Sequence, residues 1–309
     1  MEAVLQRFYH KKQVLVTGGA GFIGSHLVEK LVSLGARVTV MDNFSSGNLG
    51  NLKSVVSAIN LLYADVRSPY SCLKATTQQE IVFHLAAFVS VPESIMFPAL
   101  CKQVNVEGTQ HLLNAAAKNG VKTFVLSSSS AVYGNRAGIC SEDDTPLPLS
   151  PYAASKQAAE EACVKAAQAS NLNTASLRYF NVYGPRQNPH GSYAAVVAKF
   201  THLLKVGQPL TVFGDGKQTR DFIPVSKAVE ANLLTAMSNN LQGAIFNIGS
   251  GTSITLLDLI CQLEGELNLK NAGISFLPAR EGDVLHSQAA CQKFNHFAQN
   301  VIGQAAKTC

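Results

Sequence analysis

Short apolar runs alternate with stretches of helical apolar spacing along most of this chain. Gln13-Val14-Leu15-Val16-Thr17 is the first run and reads as a strand buried in a parallel sheet. Ile23, Leu27, Leu31 and Leu34 then recur at helical steps, so Ser25 to Leu34 is predicted helical. Arg37 to Met41, Asn60 to Ala64, Ile81 to Leu85 and Thr123 to Leu126 read as further strands, and Thr109 to Asn119 as a helix. The alternation goes on through strand Thr174–Tyr179, helix Tyr193–Val206, strand Leu210–Phe213, helix Ser226–Met237, strand Ala244–Ile248 and helix Leu256–Leu267. Strands and helices in alternation predict an α/β fold with a doubly wound parallel sheet. The expected division is a first domain over 1–177 and a smaller, discontinuous α/β domain over 178–309, with 210–250 partly returning to the first.

Chemistry enters at the first strand–helix junction. Gly18-Gly19-Ala20-Gly21-Phe22-Ile23-Gly24 follows the strand at once. Strand, glycine turn and helix form the Rossmann-type context of a dinucleotide site, where a pyrophosphate meets free N–H groups at a helix N-terminus. The spacing is GxxGxxG rather than GxGxxG. The second strand ends in Asp42, placed to accept hydrogen bonds from an adenosine ribose and to repel a 2′-phosphate, which favours NAD over NADP. An Asp42-Asn43 turn is the plainer alternative. Asp65-Val66 closes the third strand, where Asp65 could meet the adenine amine. Ala86-Ala87-Phe88-Val89-Ser90 has small residues that let a ligand lie close to the backbone, and His84 before it reads as a core histidine. Ser127 to Ser130 put four hydroxyls at a strand's carboxyl end, the usual ligand side of such sheets.

Tyr152-Ala153-Ala154-Ser155-Lys156 sets a phenol and an amine one helical turn apart. A free phenol is a poor base, with a pKa of about 10. A neighbouring ammonium favours the tyrosinate and is expected to pull that value down. A solvated Lys beside a half-buried Tyr is the bland reading of so short a pattern.

The bulk numbers narrow the partners. Of 309 residues 47% are apolar and 15% charged, which suits a buried core and excludes disorder. A formal charge of +5, evenly spread, is too mild for nucleic acid and suits a small anionic ligand. The seven cysteines have no CxxC spacing, so neither a metal site nor a disulfide framework is expected, and a reduced, cytoplasmic protein is the simpler reading. Met1 to Lys12 is short and polar, without the apolar core of a signal peptide, and no apolar run is long enough to span a bilayer.

The glycine loop, the segment Ser127–Gly134 and Tyr152–Lys156 stand in an order and at separations that resemble the extended short-chain dehydrogenase/reductase family of nucleotide-sugar enzymes. GxxGxxG is that family's form of the fingerprint, and the resemblance runs from about Gln13 to beyond Ser287. It implies Tyr152 as base, Ser129 as proton relay and Lys156 as the residue that tunes the base. It implies a cofactor surface of Gly18, Gly21, Phe22, Ile23, Gly24, Asp42, Asn43, Asp65, Val66, Leu85, Ala86, Ala87, Asn105, Ser127, Tyr152, Lys156 and Tyr179 around NAD. Relatives that dehydrate or decarboxylate carry acids where Ser130 and Ala131 stand here, so the implied reaction is a UDP-hexose 4-epimerisation through oxidation and re-reduction. The implied substrate contacts are Ser90, Ser128, Ser129, Tyr152, Asn181, Ala195, Val196, Phe213, Arg220, Arg280, Asp283 and Ser287. Relatives restricted to glucose and galactose have a large Tyr where Ser287 stands, so the N-acetylglucosamine-accepting branch is expected. Plain UDP-hexose and UDP-uronic acid epimerases are the alternatives within the family, and a non-catalytic NAD-sensing regulator is the alternative outside catalysis. Family resemblance also implies a homodimer through helices starting near Thr109 and Tyr152.

Overall fold

The structure, a computed structural model, describes residues 1–136, 138–189, 195–279 and 284–307. Its first half runs α1 Glu2–Tyr9, β1 Gln13–Thr17, α2 Phe22–Ser33, β2 Arg37–Asp42, β3 Ile59–Tyr63, α3 Pro69–Ala75, β4 Ile81–His84, α4 Val91–Met96, α5 Pro98–Lys102, α6 Gly108–Lys118, β5 Thr123–Ser129 and α7 Pro151–Ala169. The second half runs β6 Asn173–Tyr179, β7 Asn181–Tyr183, α8 Val196–Lys205, β8 Leu210–Phe213, β9 Thr219–Arg220, β10 Phe222–Pro224, α9 Val225–Ala236, β11 Ala244–Ile248, β12 Ile254–Thr255, α10 Leu256–Leu267, β13 Ile274–Leu277 and α11 Gln292–Lys307.

Seven parallel strands form the central sheet in the order β11-β6-β5-β4-β1-β2-β3. Strand order therefore reverses between β1 and β4, and ligands of such sheets bind in the crevice at that reversal. Val14 pairs with Val38 on one side and Ile81 on the other. Alternation along β1 divides the core. Val14 and Val16 face the layer of α2 and α9, while Leu15 faces the layer that holds Leu112 and Cys163. A third core, with Phe200, Leu210, Val212 and Ile260, joins α8, β8 and α10 outside the main sheet.

The predicted strands and helices are present, with shifted ends. α2 starts at Phe22, as soon as the glycine turn closes. β5 continues to Ser129, so three of the four serines lie in the strand. The helix predicted from Tyr193 begins at Val196, with Ala195 as its N-cap; Tyr193 and Ala194 lie outside the described residues. β11 pairs with β6 and completes the main sheet. Met1 to Lys12, read as a polar lead-in, instead forms α1, which buries Leu5 and Tyr9. α11 covers the sheet edge with Phe294 and Phe297 against Phe246, at ring-centroid distances of 5.7 and 4.6 Å. Among the described residues no helix is long and apolar enough to cross a membrane.

Candidate active site

The glycine loop sits at the point where strand order reverses. A Cβ on Gly18, whose φ is +68°, would stand 2.6 Å from the backbone N of Ala86, and a Cβ on Gly24 would stand 2.2 Å from the Gly18 carbonyl oxygen. Only glycine fits either position, and the bare backbone leaves the N-terminus of α2 open to a diphosphate. No side chain caps that helix at Gly21. Leu85 and Ala86 donate their backbone N–H groups to Thr17, at 3.1 Å to its carbonyl and 3.3 Å to Oγ1, which holds the second wall against the first.

Asp42 lies 22 residues on from Ala20, is 6% exposed, and accepts from Ala20 N at 2.9 Å and Phe44 N at 2.8 Å. One bond to each oxygen leaves acceptor sites for a ribose diol. Asp65 differs. It accepts from Arg67 N and Nε on Oδ1, and from Arg67 Nη2 and Asn43 Nδ2 on Oδ2, at 2.8 to 3.0 Å. The Arg67 contacts hold its pKa down at about 2. Four bonds fill a carboxylate, so Asp65 organises this corner rather than offering a lone pair to adenine. Val66 is core packed under Gly108, and Phe22 and Ile23 form the half-buried shoulder of the first turn of α2.

α7 presents Tyr152, Ser155, Lys156 and Glu160 at helical steps. Pro151 and the N-cap Ser150 start the helix, Ser150 Oγ accepting from Ala153 N at 3.1 Å. Tyr152 is held by its own peptide. Its N–H donates to Ser94 Oγ at 3.1 Å, and its carbonyl accepts from Ser155 Oγ at 2.7 Å. Asn105, in a π turn at Gln103–Glu107, donates to Ser155 Oγ at 2.9 Å and binds both the N–H and the carbonyl of Phe88, at 2.7 and 3.0 Å. Asn105 therefore braces the loop after β4 against the tyrosine helix. Ser90 uses its Oγ to cap α4.

Burial raises the pKa of the Tyr152 phenol, and the Ser129 side chain draws it back. The expected lowering by Lys156 is not what sets this phenol. Lys156 Nζ lies 5.9 Å from the ring centroid and donates to the Ser127 carbonyl at 2.8 Å. Burial instead acts on the lysine itself and brings its pKa down to about 8. Strand alternation separates the serines. Ser127 Oγ meets the Tyr179 hydroxyl at 3.2 Å, and Asn232 Nδ2 donates to that hydroxyl at 2.6 Å. Ser128 turns to the opposite face and donates to Glu160 Oε1 at 2.5 Å. Glu160 also receives Arg178 Nε and Nη2 at 2.9 and 2.7 Å in a fully buried ion pair, so Ser128 belongs to the support of the strand end and not to its rim. His84 is core: Thr17 and Thr109 hydroxyls lie at 2.7 and 2.9 Å from its two ring nitrogens, and burial lowers its pKa to about 3.

The second lobe comes to the same edge. Asn181 is fixed through N–H and Nδ2 to the Asp221 carbonyl at 2.9 and 3.1 Å. Buried Asp221 accepts from Ser250, Gly251 and Ala289 and ties three segments together. Phe213 ends β8, Arg220 ends β9, and Ser287, 9% exposed, donates its N–H to the Thr219 carbonyl at 3.2 Å. Ala195 and Val196 form the start of α8, which no side chain caps. Arg280 and Asp283 lie outside the described residues. The sequence had no signal for Ser94, Glu160, Arg178, Asp221 or Asn232 as supports, because each acts through a partner far along the chain. Among the described residues no group of three or more His, Cys, Asp or Glu could hold a metal.

Fold and site together define a dinucleotide-binding protein with a phenol and a buried lysine side by side at the cofactor's edge. A sequence model of the NAD dependent epimerase/dehydratase family matches residues 14–249, and the chain belongs to that family. NAD is its cofactor, and the glycine cradle and Asp42 fit it. A UDP-glucose 4-epimerase of Mycolicibacterium smegmatis is 38% identical over 296 residues, 94% of this chain and 92% of the relative. A UDP-N-acetyl-alpha-D-glucosaminuronate decarboxylase of Bacillus cytotoxicus is 40% identical over 246 residues, 78% of this chain and 75% of the relative. The solved UDP-N-acetylglucosamine 4-epimerase of Methanobrevibacter ruminantium M1, in complex with UDP-N-acetylmuramic acid, superposes with a TM-score of 0.89 at 36% identity, covering 93% of this chain and 92% of that one.

Proposed function

We propose that this protein interconverts UDP-N-acetylglucosamine and UDP-N-acetylgalactosamine by reversible 4-epimerisation. The observation that carries the reading is the Tyr152 phenol with buried Lys156 5.9 Å from its ring centroid at the rim of the NAD site, with Ser130 and Ala131 where an acid for elimination would stand. Tyr152 takes the proton of the sugar 4-hydroxyl while the C4 hydrogen leaves with its electron pair, and a 4-keto sugar results. Bound NAD supplies the hydride acceptor and later the donor, and its positive charge favours the tyrosinate. Ser129 holds the transferred proton in line, and Lys156 would hold the nicotinamide ribose of bound NAD. Tyr152 returns the proton after C4 is reduced from its other face, so no electrons are consumed overall.

The second lobe supports a UDP group. An uncapped helix N-terminus at Ala195–Val196 suits a diphosphate, Asn181 and Arg220 would add polar contacts to it, and Phe213 would offer a ring to the base. Arg280 would form the second arm of a guanidinium clamp and Asp283 would reach the ribose. The small side chain of Ser287, beside Arg220, leaves room for an acetamido group. The Mycolicibacterium relative favours a second reading, UDP-glucose and UDP-galactose as the pair. A UDP-uronic acid 4-epimerase is the third, and a regulator without turnover has against it the presence of both Tyr152 and Lys156. Purified protein is assayed with each UDP-sugar. Conversion of the N-acetylated pair supports the first reading, and turnover of plain hexoses alone replaces it with the second. Conversion of a UDP-uronic acid to its 4-epimer alone replaces it with the third, and release of carbon dioxide overturns epimerisation itself. Ser287→Tyr is expected to suppress N-acetylated substrates more than plain ones; equal loss on both removes Ser287 from this role.

The same reading includes a homodimer through α6 and α7, checked by sedimentation, and a cytoplasmic setting, which the free thiols Cys72, Cys101, Cys140, Cys163, Cys261 and Cys291 suit.

A further inference from the structure

The turn after β7 is tied to the cofactor helix α2 by specific bonds. Arg186 donates from Nη1 to Ser25 Oγ at 3.1 Å and from Nη2 to Glu29 Oε2 at 2.6 Å. One residue earlier, the Pro185 carbonyl lies 2.9 Å from His26 Nε2; a carbonyl only accepts, so that nitrogen carries the proton. Gly184 approaches so closely that a Cβ there would stand 2.7 Å from Val225 Cγ1. Arg186 itself holds a φ of +69°. For a residue with a side chain this costs about 1–3 kcal/mol, and it persists only where the surroundings over-determine it. The contacts to Ser25, His26 and Glu29 are that over-determination.

Each end of this tie leads to a site. Ser25 lies one turn from Gly21, where the NAD diphosphate is received. Arg186 lies five residues after Asn181, in the segment that leads from β7 toward the start of α8. We propose that Arg186 and Glu29 are a positioning pair that keeps the sugar-nucleotide lobe in register with the cofactor helix, so that nucleotide bound in one half steadies the other. This rests on the UDP-sugar reading above. Magnitudes separate it from a stabilising role. The two side chains are 25% and 27% exposed, so the pair is screened and adds little to global stability. A misplacement of about 1 Å between reacting groups, by contrast, costs up to about a hundredfold in rate.

The test uses the NAD-loaded protein and its Glu29→Ala, Arg186→Ala and charge-swapped Glu29→Arg/Arg186→Glu variants. Exchange of bound NAD for labelled NAD is followed with and without saturating UDP. UDP is expected to slow exchange about fivefold in the natural protein, to lose that effect in both single variants and to regain it in the swap. In turnover, kcat falls about tenfold in the single variants while KM stays within about twofold. Equal slowing by UDP in all four proteins overturns the proposal. So does a raised KM at unchanged kcat, which would make the pair a plain binding contact, and so does a loss that the swap does not repair. Failure of the natural protein to bind UDP in calorimetry sinks the UDP-sugar reading and the tie with it; UDP binding with unaltered variants sinks the tie alone.

Discussion

Tyr152 stands between two opposed influences, and a single serine decides their balance. Burial raises the phenol, and the Ser129 side chain lowers it. Ser129→Ala removes only the lowering contact. The acid limb of the pH profile of kcat/KM is therefore expected to move to higher pH, because the base deprotonates later. A profile unmoved at the acid side rules out this coupling. Tyr152→Phe keeps the ring and loses the acceptor, so NAD is retained while turnover falls by about a thousandfold or more. Lys156 offers a test of opposite sign. Its charge is buried against one carbonyl and its pKa is down at about 8, so at pH 7 the folded protein still holds the ammonium but less favourably than the unfolded chain does. Lys156→Met is expected to abolish turnover and yet raise Tm by about 2–4 °C. A lowered Tm would show that the lysine holds α7 to β5 more strongly than burial opposes it.

At the scale of elements, the glycine turn and the foot of α7 were legible to different degrees. The turn could be read in the sequence because its need is local. Gly18 and Gly24 sit where any Cβ would meet backbone at 2.6 and 2.2 Å, and a sequence can advertise such a need only by glycine. Gly24→Ala is expected to destabilise the fold by about 1–3 kcal/mol and to cost NAD binding, read by the nicotinamide released on denaturation. The strands and helices were likewise legible, because Val14-Leu15-Val16 and the Ile23–Leu34 spacing carry their periods within a few residues. The foot of α7 was not. Ser128, counted among the substrate contacts by its position in a serine run, turns instead to Glu160 of α7, which pairs with Arg178 of the neighbouring strand β6. Alternation along β5 would have placed Ser127 and Ser128 on opposite faces, but only with the strand's end known, and the apolar run stops at Leu126, three residues short of it. Glu160→Ala leaves Arg178 buried without its partner. A loss of about 3–5 kcal/mol is expected in chemical denaturation.

Over the whole molecule, the parts least visible in the sequence are those that close distances between its ends. α1 and α11 were missed because each packs a modest apolar stripe on residues far along the chain. The segment around Ser287–Ala289 is also long-range: it bonds to Thr219 on one side and Cys140 on the other, and so joins the lobe to the loop beyond Tyr133. His84 shows the same dependence at the centre of the sheet, where it links β4 to β1 through Thr17 and to α6 through Thr109. Its consequence is a property of the whole fold. Burial lowers its pKa from 6.5 to about 3, so between those values the unfolded chain binds a proton that the folded one refuses. Stability is then complete above about pH 6.5 and declines as pH falls toward 3, at most about 1.4 kcal/mol per pH unit. By pH 5 this group alone removes about 2 kcal/mol. His84→Gln keeps a side chain able to bond both threonines and has nothing to titrate. The natural protein is expected to lose stability between pH 7 and 5 in urea unfolding, and the variant to lose distinctly less, even if it starts lower. Asp65, Glu29 and Glu80 do not interfere in that interval: the pKa of Asp65 lies at about 2, and those of Glu29 and Glu80 are lowered from 4.5. Parallel pH curves for the two proteins would mean that His84 is protonated in the fold, and with it the neutral bridge between β1, β4 and α6 would have to be abandoned.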